Sequence, residues 1–139
     1  MEDTSRQLGF TVGDIRADHV KRYQFAASRV GEGVRVIDVA CGQGYGSRIL
    51  SESGLKVTGV DISAEAIRIA KKFYSGPQYI CADATIEKFG KFGLMVTFET
   101  LEHISEPDRF LDCAGYSYLV ASVPNQLLYK FWPENFKGD

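Results

Sequence analysis

Two closely spaced glycines, Gly42 and Gly44, stand between a β-branched run and a segment of helical period. Glycine lets the backbone turn tightly and approach a ligand without an intervening Cβ atom. The free amide groups at the start of the following helix can then bind an anionic group. Taken alone, the two glycines also fit a sharp strand-to-helix turn that binds nothing, so other residues must decide between these roles.

An acidic residue, Asp61, closes the next β-branched run, 19 residues after Gly42. In nucleotide-binding folds, an acid at this distance and at the end of the second strand accepts hydrogen bonds from ribose hydroxyls. The alternative is that Asp61 caps the N-terminus of the helix that begins at Ala64. Ser63 is also a predicted N-cap of that helix. The spacing favours ribose binding and indicates a nucleoside ligand. A dinucleotide is disfavoured, because the third glycine of its fingerprint would fall at Ser47.

Side chains suited to acid–base or metal chemistry lie between Glu99 and His103. His103 is a candidate general base for a hydroxyl nucleophile, and it equally fits a structural role. Glu99, Glu102 and His103 together lack the second histidine of a zinc motif, so no metal is expected. The other histidine, His19, belongs to the first predicted helix and would reach the ligand only if that helix covers the pocket.

The cysteines and aromatic residues have two possible roles each. Cys41, Cys81 and Cys113 lack the spacing of a zinc site or a disulfide framework. We expect the first two to be small buried residues at strand ends rather than nucleophiles. Four aromatic residues could line an apolar substrate slot, and core packing is an equal explanation for the first three: Tyr23, Tyr45, Phe98 and Trp132.

Alternating strands and helices must position these residues. Short β-branched runs alternate with segments of helical period, which is typical of an α/β fold with a parallel sheet. The pattern predicts a first helix over residues 14–31, with Asp14 as its N-cap and Gly31 as its stop. It predicts strands over 34–39, 56–60, 78–81, 94–98 and 118–122, and helices over 45–53, 64–74 and from about Ser105. The glycines and acids fall at the carboxyl ends of these strands, where such sheets bind ligands.

The composition limits the class of protein. With 139 residues, 45% hydrophobic and 24% charged, the chain fits a single globular domain. A count of 16 basic and 18 acidic residues gives a net charge of −2, so we expect no nucleic acid or membrane as a partner. No apolar run reaches transmembrane length, the first residues lack a secretory signal, and the cysteines are sparse. We therefore expect a cytoplasmic protein.

Four ordered segments resemble the motifs of class I S-adenosylmethionine-dependent methyltransferases, in the ubiquinone-biosynthesis-like branch (methyltransferase type 11). The first motif is similar to residues 36–46 (VIDVACGQGYG), and the ribose-binding second motif is similar to residues 57–63 (VTGVDIS). Residues 81–84 (CADA) resemble the adenine-binding third motif, and residues 98–104 (FETLEHI) resemble the segment after the fourth strand. The resemblance covers about residues 20–125, and four motifs in order are more specific than any one of them.

The resemblance implies S-adenosyl-L-methionine as the cofactor and S-adenosyl-L-homocysteine as its product. It implies that Asp61 holds the ribose hydroxyls, that Asp83 accepts from the adenine amino group and that the Ala84 amide donates to the ring. Ile62 would pack on the adenine face, and Asp38 would lie near the methionine ammonium group, directly or through water. The rest of the cofactor pocket would be formed by Ala40, Gly42, Gly44, Glu99 and Leu101.

The implied fold is a Rossmann-like open parallel sheet of about five strands in the order 3-2-1-4-5, with helices on both faces and without the usual strands six and seven. Only 14 residues follow Asn125, which is too few for the missing elements. We expect one domain over residues 1–139, with a cofactor-binding core at 34–125 and a tail at 126–139. The tail, or a second copy in a homo-oligomer, would cover the exposed edge of strand five.

The implied function is methyl transfer to a small-molecule acceptor, whose identity the sequence does not give. The alternative is a cofactor-binding module without transferase activity of its own, completed by a partner or by a second copy. A third interpretation is another enzyme that acts on the same nucleoside sulfonium. A nicotinamide dehydrogenase is disfavoured by Ser47.

Overall fold

The secondary structure follows the alternation expected from the sequence. The computed structural model describes residues 12–123, so the predicted tail at 126–139 lies outside the described residues. The strands are β1 (Arg35–Val39), β2 (Lys56–Asp61), β3 (Gln78–Cys81), β4 (Leu94–Phe98) and β5 (Tyr118–Ser122). The helices are α1 (Val12–Ser28), α2 (Tyr45–Glu52), α3 (Ala64–Phe73) and α4 (Pro107–Leu111), with a 3-10 turn at Leu101–His103 between β4 and α4.

The five strands run parallel in one sheet of order β3-β2-β1-β4-β5, which confirms the predicted order. β1 lies at the centre, and its last four residues are buried on both faces of the sheet. The chain builds β2 and β3 on one side of β1 and then returns to place β4 on the other side. The loop after β1 therefore lies at the switch point, where open α/β sheets bind their ligands.

Alternate side chains of β1 enter two different cores, because successive residues of a strand point to opposite faces. Val36 packs with Tyr23 of α1 and Leu50 of α2 on one face. Ile37 packs on the other face with Phe110 of α4. Helices therefore cover both faces of the sheet, as expected. A smaller cluster joins α3 to β3 and the loop after β1: Cys41, Ile67, Ala70 and Tyr79.

Helix α1 differs from its predicted bounds at both ends. It is already helical at Val12, so Asp14 lies inside the helix and the prediction that Asp14 is the N-cap is wrong. The helix ends at Ser28, before Gly31 is reached. The backbone N–H of Arg29 bonds to a carbonyl three residues earlier at 3.1 Å, so a tightened last turn closes the helix without the glycine.

The three cysteines are free, and they differ in exposure. Cys41 and Cys113 are buried, and the burial of Cys41 is as expected of a small residue after a strand end. Burial raises the pKa of the Cys41 thiol, and it raises the pKa of Cys113 to about 11, so both are thiols at neutral pH. Cys81 is exposed, and the prediction that it is buried is wrong. It ends β3, an edge strand of the described sheet in which only Tyr79 is buried.

No helix within residues 12–123 combines the length and the apolar character needed to cross a membrane.

Candidate functional site

The loop between β1 and α2 has left-handed backbone at three positions: Ala40 (φ 70°), Gly42 (φ 60°) and Gly44 (φ 98°). Ala40 is strained there, because this conformation costs a residue with a Cβ atom about 1–2 kcal/mol. The backbone N–H groups of Ala40 and Cys41 donate to the Val60 carbonyl at 2.7 and 2.9 Å. These hydrogen bonds fix the start of the loop to the neighbouring strand β2.

The two loop glycines have different surroundings. A Cβ atom at Gly44 would lie 2.6 Å from the Ala70 Cβ and 2.8 Å from the Tyr79 hydroxyl. Gly44 therefore allows α3 and β3 to pack against the loop. A Cβ atom at Gly42 would meet no described atom within 4 Å. The loop thus borders open space at Gly42, where a ligand has room.

Asp61 lies directly beside this open position. Its Oδ2 accepts a hydrogen bond from the backbone N–H of Gly42 at 2.8 Å, and its Oδ1 accepts from the N–H of Ser63 at 2.9 Å. The cap of α3 is Ser63, whose hydroxyl accepts from the N–H of Ala66 at 3.1 Å, as the sequence predicts. Asp61 is therefore not the helix cap. Each of its carboxylate oxygens keeps a further lone pair for a ligand hydroxyl.

Asp38 is inside the protein rather than on the open side of the loop. It is fully buried, accepting from the Ser47 hydroxyl at 2.7 Å and the Tyr23 hydroxyl at 3.3 Å. Burial raises the pKa of Asp38 to about 7; the two hydrogen bonds act in the opposite direction, and the nearby Asp61 charge adds to the rise. In the sequence, Ser47 stands out only as the residue at the third glycine position of the dinucleotide fingerprint, and no local pattern indicates its contact with Asp38.

The ends of β2 and β3 carry the residues expected to bind adenine. Ile62 is 67% exposed, so it offers an apolar surface next to Asp61. Asp83 accepts through Oδ1 from the hydroxyl of Thr85 at 2.7 Å and from its backbone N–H at 2.9 Å. These hydrogen bonds lower the pKa of Asp83, which keeps it an ionised acceptor. Ala84 is buried in the core that also contains Ile37 of β1 and Phe110 of α4.

Glu99, directly after β4, has left-handed backbone (φ 54°), an uncommon conformation for a residue with a side chain. Its N–H donates to the Ser122 carbonyl at 2.8 Å, and its carboxylate accepts from the Ser122 hydroxyl at 3.0 Å. The Arg22 guanidinium of α1 lies 3.8 Å from the same carboxylate. Sequence reasoning missed Arg22, because nothing local indicates which residue its helix brings it to. Leu101 lies nearby, partly buried against the core of the α4 face.

The two histidines lie on different elements. The His103 side chain is 76% exposed, and its Nε2 lies 3.4 Å from Oε2 of Glu102. The Glu102 side chain is mostly buried, and its Oε1 has no hydrogen-bond partner among residues 12–123. On α1, the ring of His19 lies 6.0 Å from that of Tyr45, at the start of α2. Tyr23 is buried and packs its ring edge-to-face on Phe98 at 4.8 Å, so it is part of the core.

Three carboxylates thus lie at or just after the carboxyl ends of β2, β3 and β4, on the same side of the sheet as the glycine loop: Asp61, Asp83 and Glu99. Donors within the chain orient each of them, and each has lone pairs left for a ligand. A site rich in such acceptors suits a ligand that has several hydroxyl or amino donors and carries positive charge.

Comparison with known proteins agrees with this description. Residues 37–114 match the family model described as a methyltransferase domain. The chain is 37% identical over 114 residues to a ubiquinone biosynthesis O-methyltransferase of Coxiella burnetii, covering 77% of this chain and 47% of that protein. It is 32% identical over 102 residues to the mitochondrial ubiquinone biosynthesis O-methyltransferase of Arabidopsis thaliana, covering 68% and 30%. The chain thus spans about half the length, or less, of these curated relatives.

Solved structures with the same fold include a TehB-like SAM-dependent methyltransferase from Corynebacterium glutamicum. It has a TM-score of 0.65 and 21% identity, covering 72% of this chain and 60% of that one. A second is the magnesium protoporphyrin IX methyltransferase of Synechocystis with bound SAM, with a TM-score of 0.58 and 23% identity, covering 70% and 52%. At these identities the likeness establishes a common fold.

Proposed function

Because the chain belongs to the methyltransferase domain family, we propose that it binds S-adenosylmethionine at the carboxyl end of its sheet and transfers the methyl group to a small molecule. The observation that carries the proposal is the hydrogen bond from Gly42 to Asp61 at a loop position that borders open space. An oriented carboxylate beside an open stretch of backbone is what a ribose with two hydroxyl groups requires.

The side chains of this edge fit the parts of the cofactor. Asp61 would accept from both ribose hydroxyls through its remaining lone pairs. Asp83, oriented by Thr85, would accept from the adenine amino group, and the Ala84 amide would donate to the ring. The exposed Ile62 would pack on the adenine face. The methionine part would lie along Ala40, Gly42, Gly44, Glu99 and Leu101, with its ammonium group near the buried Asp38, directly or through water.

When bound, S-adenosylmethionine supplies a methyl group on a positively charged sulfur. The chain's contribution is to hold the acceptor atom in line with that methyl group, because alignment alone removes much of the barrier. The curated relatives are named O-methyltransferases, so we propose a hydroxyl as the acceptor. A hydroxyl benefits from a base, and His103, exposed at the rim with Glu102 beside its Nε2, is our candidate.

A second candidate function is a cofactor-binding module that gains its acceptor pocket from a partner or a second copy. It is favoured by β5, which is partly exposed at one edge of the described sheet, and by the limited coverage of the relatives. Light scattering over a concentration series, with methyl transfer assayed at each concentration, separates the two. Activity that appears only with association supports the module, and activity of a monomer supports the complete enzyme.

We also propose a cytoplasmic location and a partner that is neither nucleic acid nor membrane. The support is the near-neutral charge balance and the free cysteines of the described region. A homo-oligomer that covers the edge of β5 belongs to the same proposal, since an open strand edge tends to associate.

Isothermal titration of the purified chain with S-adenosylmethionine, S-adenosylhomocysteine and NAD tests the cofactor. We expect micromolar binding of the first two, a binding free energy of about −8 kcal/mol, and no binding of NAD. A folded chain that binds none of the three would refute the proposal.

A further inference from the structure

Tyr23 of α1 touches both sides of the glycine loop. Its hydroxyl donates to Oδ1 of Asp38, which lies in β1 two residues before the loop begins. Its ring lies against Gly46, in the first turn of α2, where the loop ends; a methyl group at Gly46 would overlap the ring. Tyr23 therefore fixes the two ends of the loop relative to each other.

A second set of contacts strengthens this arrangement. Ser47, next to Gly46, donates to Oδ2 of Asp38 at 2.7 Å, so both oxygens of this buried carboxylate are hydrogen-bonded. Tyr23 itself is 6% exposed. Burial and the neighbouring Asp38 raise the pKa of Tyr23 well above its usual value, so its hydroxyl stays a donor. Burying a hydroxyl group without a hydrogen-bond partner costs free energy. The position of Tyr23 therefore depends on Asp38, just as the position of Asp38 depends on Tyr23.

The residue before Tyr23 extends the same helix to the other side of the site. Arg22 lies 3.8 Å from the Glu99 carboxylate, after β4. Glu99 is in turn tied to β5 by its two hydrogen bonds with Ser122. One turn of α1 thus contacts both ends of the glycine loop and the segment after β4, two parts of the proposed pocket that follow the neighbouring strands β1 and β4.

We propose that Tyr23 is a positioning residue, which couples the docking of α1 to the shape of the glycine loop. A ligand that binds the ordered loop then stabilises the docking of α1, and a docked α1 tightens ligand binding by the same factor. The identity of the ligand as S-adenosylmethionine rests on the proposed function. The coupling between helix and loop does not, and it can be measured without any ligand.

The test is hydrogen–deuterium exchange of the purified chain, with and without S-adenosylhomocysteine, on Tyr23→Phe and wild type. Tyr23→Phe keeps the ring on Gly46 and removes only the hydroxyl. Without ligand, we expect faster exchange in both α1 and residues 40–46. We expect S-adenosylhomocysteine affinity to fall by up to about tenfold, because ligand binding must then supply what the lost hydrogen bond contributed to ordering the loop. Tyr118→Phe, at an exposed tyrosine of β5, is the matched control and should change neither quantity.

Gly46→Ala gives a second, independent variant. Alanine favours a helix more than glycine by about 1 kcal/mol, so on propensity alone this change would protect α2. We expect faster exchange in α1 instead, because the new methyl group displaces the Tyr23 ring. If Tyr23→Phe does not fold, the exchange of Gly46→Ala still tests whether the docking of α1 is coupled to the loop.

The possible outcomes separate the coupling from the proposed function. Wild-type exchange in α1 and the loop of Tyr23→Phe, or slower exchange throughout Gly46→Ala, overturns the coupling. A wild-type chain that fails to bind S-adenosylhomocysteine overturns the proposed function, and the ligand-free exchange of the variants still decides the coupling. When S-adenosylhomocysteine is bound to wild type, slower exchange in α1 as well as in the loop supports both the coupling and the proposed function.

Discussion

The backbone N–H of Gly42 donates a hydrogen bond to the Asp61 carboxylate at 2.8 Å, which joins the loop after β1 to the end of β2. Neighbouring parallel strands end at the same edge of a sheet, and here Val39 of β1 lies opposite Val60 of β2. Gly42, after β1, therefore meets Asp61, the last residue of β2, although 19 positions separate them. The same hydrogen bond orients the carboxylate before any ligand binds.

Asp61→Ala should weaken the binding of S-adenosylhomocysteine about 100-fold, because two hydrogen bonds to a charged acceptor are lost. Titration calorimetry measures the loss. Asp108→Ala removes an exposed carboxylate from the first turn of α4 and serves as the control for a lost charge. Equal affinity in Asp61→Ala and wild type would show that Asp61 does not hold the ribose.

Ala40→Gly should stabilise the fold by about 1 kcal/mol, because glycine adopts the left-handed conformation of this position without strain. The free energy of unfolding is measured by urea denaturation. Ala66→Gly, inside α3, is the control of opposite sign, and it should cost about 1 kcal/mol. Destabilisation by both variants would mean that the backbone at Ala40 is not strained.

Asp38 should make the stability depend on pH. Its pKa is about 7 in the fold and 3.8 in its ordinary environment, so the folded state binds a proton that the unfolded state has released. The contribution of Asp38 to stability is therefore greatest at low pH and is lost as the pH rises through about 7. Of the groups facing it, Tyr23 and Cys41 have pKa values raised by burial and stay protonated. The Asp61 charge adds to the rise in the Asp38 pKa.

The corresponding measurement is urea denaturation of wild type and Asp38→Asn between pH 5 and pH 8, the range that brackets the folded pKa. The asparagine keeps an acceptor for the Tyr23 hydroxyl and does not titrate. We expect the stability of the variant relative to wild type to increase with pH across this range. Asp108→Asn, on the surface, should run parallel to wild type. A constant difference for Asp38→Asn would contradict a raised pKa.

His103→Ala should lower kcat for methyl transfer about 100-fold or more, the usual contribution of a general base. The KM for S-adenosylmethionine and the melting temperature should not change, because the His103 side chain is largely exposed. His19→Ala provides a comparison histidine on α1, and an unchanged kcat in His103→Ala would remove His103 from the chemistry.

Local patterns in the sequence were enough to predict the framework. The β-branched runs predicted the strands, including β3 and β4 with their observed bounds. β4 was recognisable because a strand buried on both faces is apolar throughout. Ser63 was predicted as the cap of α3 because a cap acts within one turn. The start of α1 was wrong, since Asp14 has the residue type of a cap but lies within the helix.

Only the tertiary structure decided which distant side chains meet. Tyr23 and Asp38 are 15 positions apart, and Arg22 and Glu99 are on different layers of the fold, so no period or spacing connects them. Burial of Asp38, exposure of Cys81 and the left-handed backbone at Glu99 likewise depend on sheet order and helix docking. The sequence by itself determined the elements and the acids at their ends, because these are local properties. The contacts that position those acids were decided by packing, which brings together residues that are far apart along the chain.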